Sequence, residues 1–240
     1  MQIFLTILGV LSAVGGGMTA LAVRLNPLER WNKWLKYAVY LLFVFGLFFW
    51  LDMPRTSRMI AFGGVSLIGL IEFVRAIRLK ASVREYLWPI AAYIFLLVGF
   101  VRAAGLSHQI LGPVLMAVIV FDSFSQLTGQ LVGRSKLIPS ISPGKTTEGF
   151  IGGWIAVLIV AIFEYMNHLS IATGLATELV LSSVLAVLAF VGDILASVIK
   201  RKLGLKDYSH WIPGHGGVND RFDSLIFTLA IVAYATLLTQ

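Results

Sequence analysis

The sequence predicts an all-α, polytopic integral membrane protein, folded as one membrane domain over residues 1–240, and three observations carry that prediction. Of 240 residues, 58% are hydrophobic and 13% charged, roughly half the charged share of an ordinary soluble domain. Apolar stretches long enough to cross a hydrocarbon layer of about 30 Å recur along the chain. The alternation expected of barrel strands is missing, whereas a spanning helix satisfies its own backbone hydrogen bonds. There is no cysteine, which excludes disulfides, thiolate chemistry and any cysteine-ligated metal.

About eight transmembrane helices follow, near residues 3–23, 37–53, 59–74, 86–102, 109–132, 149–166, 177–200 and 222–239. The first charge after the start is Arg24, so the opening segment lacks the basic region of a cleaved signal peptide and reads as a retained first helix. WNKWLK, Trp31 to Lys36, reads as an interfacial stretch ahead of the second span, its tryptophans at headgroup depth and its lysines reaching water. Charge then orients the spans. Segments 24–36, 75–84, 133–146 and 200–221 carry 4, 4, 3 and 5 basic residues, while 54–58, 102–109 and 167–176 carry 2, 1 and none. The positive-inside rule puts the first group in the cytoplasm and both termini outside. The excess of 19 basic over 12 acidic residues therefore needs only topology to explain it, and no nucleic-acid partner is expected.

Polar residues are unevenly shared among the spans. Residues 1–108 hold little beyond Glu72 and read as scaffold and lipid-facing helices; residues 109–240 hold or flank Asp122, Glu148, Asp193, Asp220 and Asp223 and read as the catalytic half. Asp193 lies seven residues before Lys200, roughly 10 Å along the helix from the basic edge, and a carboxylate there is expensive. Ser197 and Lys200 follow it at intervals of four and three, on one face. Asp220 and Asp223 stand three apart at the start of the last span, where the helix dipole favours negative charge. Capping explains one aspartate, but not two with a third on the preceding helix. Oxygen ligands of this kind suit Mg²⁺, which binds one or two carboxylates and completes its shell with waters and phosphates.

The loop between these spans offers the counterpart. Lys200, Arg201, Lys202 and Lys206 are cationic donors, and PGHGG, Pro213 to Gly217, is flexible enough to bring backbone N–H groups to an anion. His215 could contact a phosphate, shuttle a proton or brace the loop. SPGKTTEGFIGG, Ser142 to Gly153, enters the sixth span. Ser142 and Pro143 fit the Ncap and N1 positions, and Glu148 the first-turn dipole. A P-loop reading of GKT fails, because Pro139 stands where its first glycine belongs and there is no βαβ context. Gly149, Gly152 and Gly153 form a small face for close helix packing, and Lys145, Thr146 and Glu148 remain as functional candidates. In the fifth span, Asp122, Ser125, Gln126 and Gly129 form a polar seam that must avoid lipid. Asp122 there could bind metal, position a substrate or satisfy a neighbouring helix.

These residues resemble the phosphatidate cytidylyltransferase (CDP-diacylglycerol synthase) family. Every fixed position of its C-terminal signature is met, by Ser197, Lys200, Arg201, Lys206, Asp207, Ser209, Ile212, Pro213, His215, Gly216, Gly217, Asp220, Arg221 and Asp223. The family's preceding GD matches Gly192 and Asp193, and its SPxKTxEGxxGG segment matches Ser142 to Gly153. The resemblance covers residues 115–225; the N-terminal half matches in hydrophobic character and in Glu72. Thr147 stands where the family often has an aromatic, and Gln126 where it has a tyrosine.

The resemblance implies a membrane transferase that joins CTP to phosphatidic acid, giving CDP-diacylglycerol and pyrophosphate with Mg²⁺. It also implies a homodimer, with Asp193 and Asp220 as metal ligands. The expected machinery is Asp193, Asp220 and Asp223 around Mg²⁺ and a second cation, with Lys200, Arg201, Lys206 and Arg221 neutralising phosphate charge. The expected substrate-contacting set is Asp122, Ser142, Lys145, Thr146, Glu148, Ser197, Asp207, His215, Gly216 and Gly217. The expected location is a cytoplasmic membrane, with the active site facing the cytoplasm. Two rival readings differ in product or class: a CTP-dependent lipid kinase similar to dolichol or phytol kinases, and a cation transporter using intramembrane carboxylates.

Overall fold

The computed structural model of the chain describes residues 2–25, 27–80, 83–212 and 216–239. Among the described residues the expected helices form: α1 (Gln2–Leu25), α2 (Arg30–Leu51), α3 (Arg55–Lys80), α4 (Leu87–Ala103), α5 (His108–Val132), α6 (Thr147–Met166), α7 (Leu175–Lys202) and α8 (Asn219–Leu238). Six of these, all but α1 and α4, are long and apolar enough to cross a membrane. The 17 residues of α4 rise only about 26 Å at 1.5 Å each. Large apolar side chains lie on the surface at Leu42, Phe49, Ile60, Ile159 and Val180, an arrangement suited to a hydrocarbon solvent rather than to water. The chain is a multi-pass helical membrane protein.

The chain forms two compact units, residues 1–52 with 108–187 and residues 53–107 with 188–240. Each unit therefore draws on both sequence halves, and α7 contributes its first part to one and its last to the other. In the first unit α5 lies along α6, and α1 and α2 pack on α5. The close approach of α5 and α6 needs the small face read from the sequence. A Cβ on Gly149 would stand 2.7 Å from the Ser125 carbonyl oxygen, one on Gly153 2.8 Å from that of Phe121, and one on Gly152 2.5 Å from Thr128 Oγ1.

Two local expectations are corrected here. Strands β1 (Lys136–Ile138) and β2 (Ser142–Thr146) pair antiparallel, with Lys136 opposite Thr146 and Ile138 opposite Ser142. Ser142 and Pro143 thus lie in a hairpin strand and not at the start of a helix. The N-cap of α6 is Thr146, extended at φ −122°, ψ 155°, whose Oγ1 accepts from Gly149 N at 3.1 Å. A β-branched hydroxyl residue serves both as last strand residue and as cap. Pro143 and Gly144 obscured the strand, because both are depleted in sheets except at edges. WNKWLK, read as a stretch ahead of its span, is continuous with α2, its first turns lying within Arg30–Leu51.

In the second unit α4 lies along α8, and α3 packs on both. Its core near the polar residues is Phe73, Ala76, Ile77 and Leu203, surrounded by Tyr86, Ile90, Tyr93, Ile199, Leu205 and Tyr208. The Phe73 ring lies tilted against Tyr93, with centroids 4.5 Å apart, and against Tyr208 at 5.8 Å. This aromatic floor carries the loop that joins α7 to α8.

The α5–α6 contact yields a stability prediction. Gly153→Val forces two methyl groups into the Phe121 backbone and should cost about 1–3 kcal/mol by overpacking. Thermal unfolding in detergent, followed by fluorescence-detected size exclusion, should show the midpoint falling relative to wild type.

Candidate functional site

The C-terminal end of α7 and the first turn of α8 bring Asp193, Ser197, Lys200, Asp220 and Asp223 together. Helical spacing places Ser197 one turn after Asp193, where its hydroxyl donates to Asp193 Oδ1 at 3.5 Å. One turn further, Lys200 Nζ donates to Asp220 Oδ1 at 2.8 Å and lies 3.8 Å from Asp223 Oδ2. The charge of Asp193 also acts on this ammonium. Lys200 and Asp220 are both buried, so each needs the other: an ion removed from water and left unpaired is strongly unfavourable.

Asp220 does more than pair. Its Oδ2 accepts from Tyr208 N and from Gly217 N, each at 2.9 Å. Together with Lys200 these donors fill three of the roughly four acceptor positions of a carboxylate. The loop folds back to supply them. Gly216, at φ +79°, takes a left-handed conformation that favours glycine, and a Cβ there would meet Asp220 Oδ2 at 2.8 Å. The N–H of Gly217, expected to face a substrate anion, thus faces the protein's own carboxylate. Tyr208 packs beneath, its ring centroid 5.4 Å from Lys200 Nζ. Burial above all, with the negative charge of Asp223 next, holds the Tyr208 phenol above its ordinary value. It stays neutral at physiological pH.

The remaining basic candidates face outward. Arg201, Lys206 and Arg221 are exposed, and Arg201 Nη1 donates to the Leu205 carbonyl at 2.9 Å. Asp207 is half-buried beside Tyr208. His215, with Pro213 and Gly214, lies outside the described residues. A cavity of about 60 Å³ opens beside Asp223 and Asn219, walled by Phe73, Leu96, Leu195 and Phe227. It sets an apolar space against a charged cluster.

Asp122, Ser142, Lys145, Thr146 and Glu148 belong to the other unit. Glu148 accepts from Arg134 N at 3.0 Å and from Ser135 N at 3.1 Å, while Thr147 N donates to the Ser135 carbonyl at 2.9 Å. Glu148 therefore ties the chain leaving α5 to the start of α6, and Thr146 caps that helix. Ser142 and Lys145 sit in β2, half-exposed, and Asp122 is half-buried on α5.

Glu72 is the acid that the sequence singles out in the early spans without placing it in the site. It is 1% exposed and accepts from Ser209 Oγ, Val218 N and Asn219 N. The signal was available: a lone carboxylate in an apolar helix is functional by default. Tyr208 and Asn219 were also missed. Tyr208 acts through its backbone N–H, which no residue pattern reveals.

The resemblance implies a resident divalent cation, and donor chemistry tests the fit. Among the described residues no group of three or more His, Cys, Asp or Glu is arranged to hold a metal. Mg²⁺, however, requires only one or two carboxylates when phosphates and waters complete its shell. Asp193, Asp220 and Asp223 are hard oxygen donors of that kind, gathered round a positive charge that Lys200 already supplies. The set fits, with Asp220 the most committed to protein donors.

Comparison with known proteins places the chain in a family. The model of the Cytidylyltransferase family matches residues 108–239. A protein of Escherichia coli K12, YnbB, is 32% identical over 212 residues, covering 85% of this chain and 70% of that protein. Phosphatidate cytidylyltransferases of Staphylococcus saprophyticus and Haemophilus influenzae are 40% and 39% identical over 131 and 124 residues. The chain spans 49% and 43% of the length of those two enzymes, and they cover 55% and 50% of it. A multi-pass helical membrane protein with a carboxylate–lysine cluster at one set of helix ends is the class defined. The chain belongs to the cytidylyltransferase family.

The Lys200–Asp220 pair generates a stability prediction. Lys200→Met leaves a buried carboxylate without its cation and should cost about 3–5 kcal/mol, whereas Lys200→Met with Asp220→Leu should recover part of that loss. Denaturant unfolding of the two variants in detergent measures the difference.

Proposed function

We propose that this chain is a CTP:phosphatidate cytidylyltransferase, making CDP-diacylglycerol and pyrophosphate at the cytoplasmic face of a cell membrane. The observation that carries the reading is the buried Lys200 ammonium held by Asp220 and Asp223, in the segment that matches the family. Eight spans with both termini outside would place this cluster on the cytoplasmic side, beside the basic loops that the positive-inside rule assigns there. The water-soluble nucleotide would enter from that side while acyl chains stay among the helices.

In the reaction, an oxygen of the lipid phosphate attacks the α-phosphorus of CTP. A new P–O bond forms as the bond to the β-phosphate oxygen breaks, and the electron pair leaves with pyrophosphate. The phosphomonoester is already ionised, so no side-chain base is needed. Positioning and charge stabilisation carry the acceleration. Mg²⁺, and a second cation, would be held by Asp193, Asp220 and Asp223 and would supply Lewis-acid stabilisation of phosphate charge. Lys200, fixed by Asp220, presents a charge whose direction is set before substrate arrives. Arg201, Lys206 and Arg221 are exposed and could receive phosphate oxygens arriving from water. His215, Ser197, Asp207 and the glycines of the loop would shape the nucleotide's seat. A homodimer is part of the same proposal.

Purified protein with radiolabelled CTP, phosphatidic acid and Mg²⁺ in detergent should yield CDP-lipid and pyrophosphate. CDP with a newly phosphorylated lipid would identify a kinase, and neither product would end the transferase reading. Asp193→Asn and Asp220→Asn should each lower kcat by at least about a hundredfold, on the scale of losing a charge-stabilising group, with folded protein still extractable. Near-normal turnover in either variant counts against its place in the machinery.

A further inference from the structure

Glu72 lies on α3, more than a hundred residues before the loop it contacts. It is 1% exposed, and a carboxylate kept from water persists only where donors fill its acceptor positions. Ser209 Oγ donates to it at 2.6 Å, Val218 N at 3.0 Å and Asn219 N at 2.8 Å. These contacts interleave with those of Asp220, which accepts from Tyr208 N and Gly217 N. Both limbs of the loop, 208–209 and 217–219, are therefore gripped by both carboxylates.

Stability alone did not require this arrangement. A Ser, Thr, Asp or Asn at the N-cap would satisfy the first N–H groups of α8 locally. The cap is instead Val218, with helical backbone angles and no side-chain hydrogen bond. The orphan N–H groups at the helix start go to Glu72. Asn219 strengthens the same attachment: its Nδ2 donates to the Gly69 carbonyl at 2.8 Å, and the Tyr93 hydroxyl donates to its Oδ1. Gly217 is shaped to admit Glu72, since a Cβ there would stand 2.5 and 2.7 Å from the two carboxylate oxygens.

Asp220 follows Asn219 directly, and its carboxylate fixes Lys200. We propose that Glu72 is a positioning residue for the transfer reaction: by holding residues 208–209 and 217–219 it sets Asp220, and through Asp220 the Lys200 ammonium, in the reacting geometry. The inference rests on the proposed function. Glu72 itself touches neither substrate; it acts through the loop.

The test compares wild type, Glu72→Gln, Glu72→Ala, Gly217→Ala and the double variant Glu72→Ala/Gly217→Ala, as full chains in detergent. CTP-dependent kinetics and trypsin cleavage after Lys206 are read on folded protein. Glu72→Gln exchanges one carboxylate oxygen for an NH₂ group, and because Val218 N and Asn219 N donate to different oxygens, one of them then faces a donor instead of an acceptor. Its kcat should fall about a hundredfold, the cost of a small misplacement at the reacting centre, while KM for CTP stays within about threefold. Gly217→Ala should do the same, because its methyl strikes Glu72. The double variant should lose less than the two single losses combined, since the clash with Glu72 is then gone and only the contact with Ser209 Oγ, 2.7 Å from a Cβ at 217, remains. Trypsin should cut each single variant faster than wild type.

A kcat for folded Glu72→Gln within about threefold of wild type overturns the proposal, as do additive losses in the double variant. Where Glu72→Gln does not fold, Ser209→Ala, which removes one donor of three, and Gly217→Ala carry the same kinetic comparison. If wild type makes no CDP-lipid, the transferase reading fails by itself. Trypsin still judges Glu72 in that case, and unchanged cleavage rates would overturn its hold on the loop.

Discussion

The second unit depends on one buried ion pair. Lys200 and Asp220 lose water together, and the cost of doing so is returned only if every remaining acceptor on Asp220 finds a donor. That requirement propagates outward. Tyr208 and Gly217 must present their N–H groups, so the loop must double back between α7 and α8. Gly216 must adopt a positive φ to make that turn. The first turn of α8 must then stop at a fixed place, and Glu72, with Gly69 and Tyr93, fixes it. What reads in sequence as a charged loop between two greasy helices is in space a set of N–H groups arranged around two carboxylates.

Much of this was legible beforehand, for physical reasons. Spans are set by the thickness of a bilayer and by composition, so α5 and α7 fall within two residues of their expected limits. Asp193, Ser197 and Lys200 share a helix face, and the period of 3.6 residues alone predicts it. The glycine face of α6 was legible too, because small residues three and four apart have few other uses in an apolar helix. The β-hairpin was not. Eight residues of strand, broken by Pro143 and Gly144, carry no alternation long enough to stand out.

The role of Glu72 was hidden for a different reason. Pattern reasoning works along the chain, and the partners of Glu72 lie 137 to 147 residues away. Nothing in a window around α3 says which helix start its carboxylate will reach. The sequence does say that the acid is out of place among apolar neighbours, which is a reason to look for a distant partner rather than to assign the helix to scaffold. The line at residue 108 between supporting and working halves follows the density of charge, and each compact unit takes residues from both sides of it.

Charge balance explains why the cluster alone is an incomplete anion site. Asp193, Asp220, Asp223 and Glu72 place four carboxylates in one unit against one buried ammonium. A nucleoside triphosphate and a phospholipid are both anions, and such a cluster would repel them. Exposed Arg201, Lys206 and Arg221 offset part of that charge but do so in water, where each pair is worth about 1 kcal/mol or less. On the proposed reaction the deficit would be met by the divalent cation proposed for Asp193, Asp220 and Asp223, whose charge counts for most where the dielectric is low. In the proposed reaction a site with more carboxylates than cations would therefore suit phosphate that arrives with its own cation better than phosphate alone. On that account Lys200 is first the fixed positive centre that holds the aspartates in place, and from that fixed position it would present its charge to the reacting phosphates.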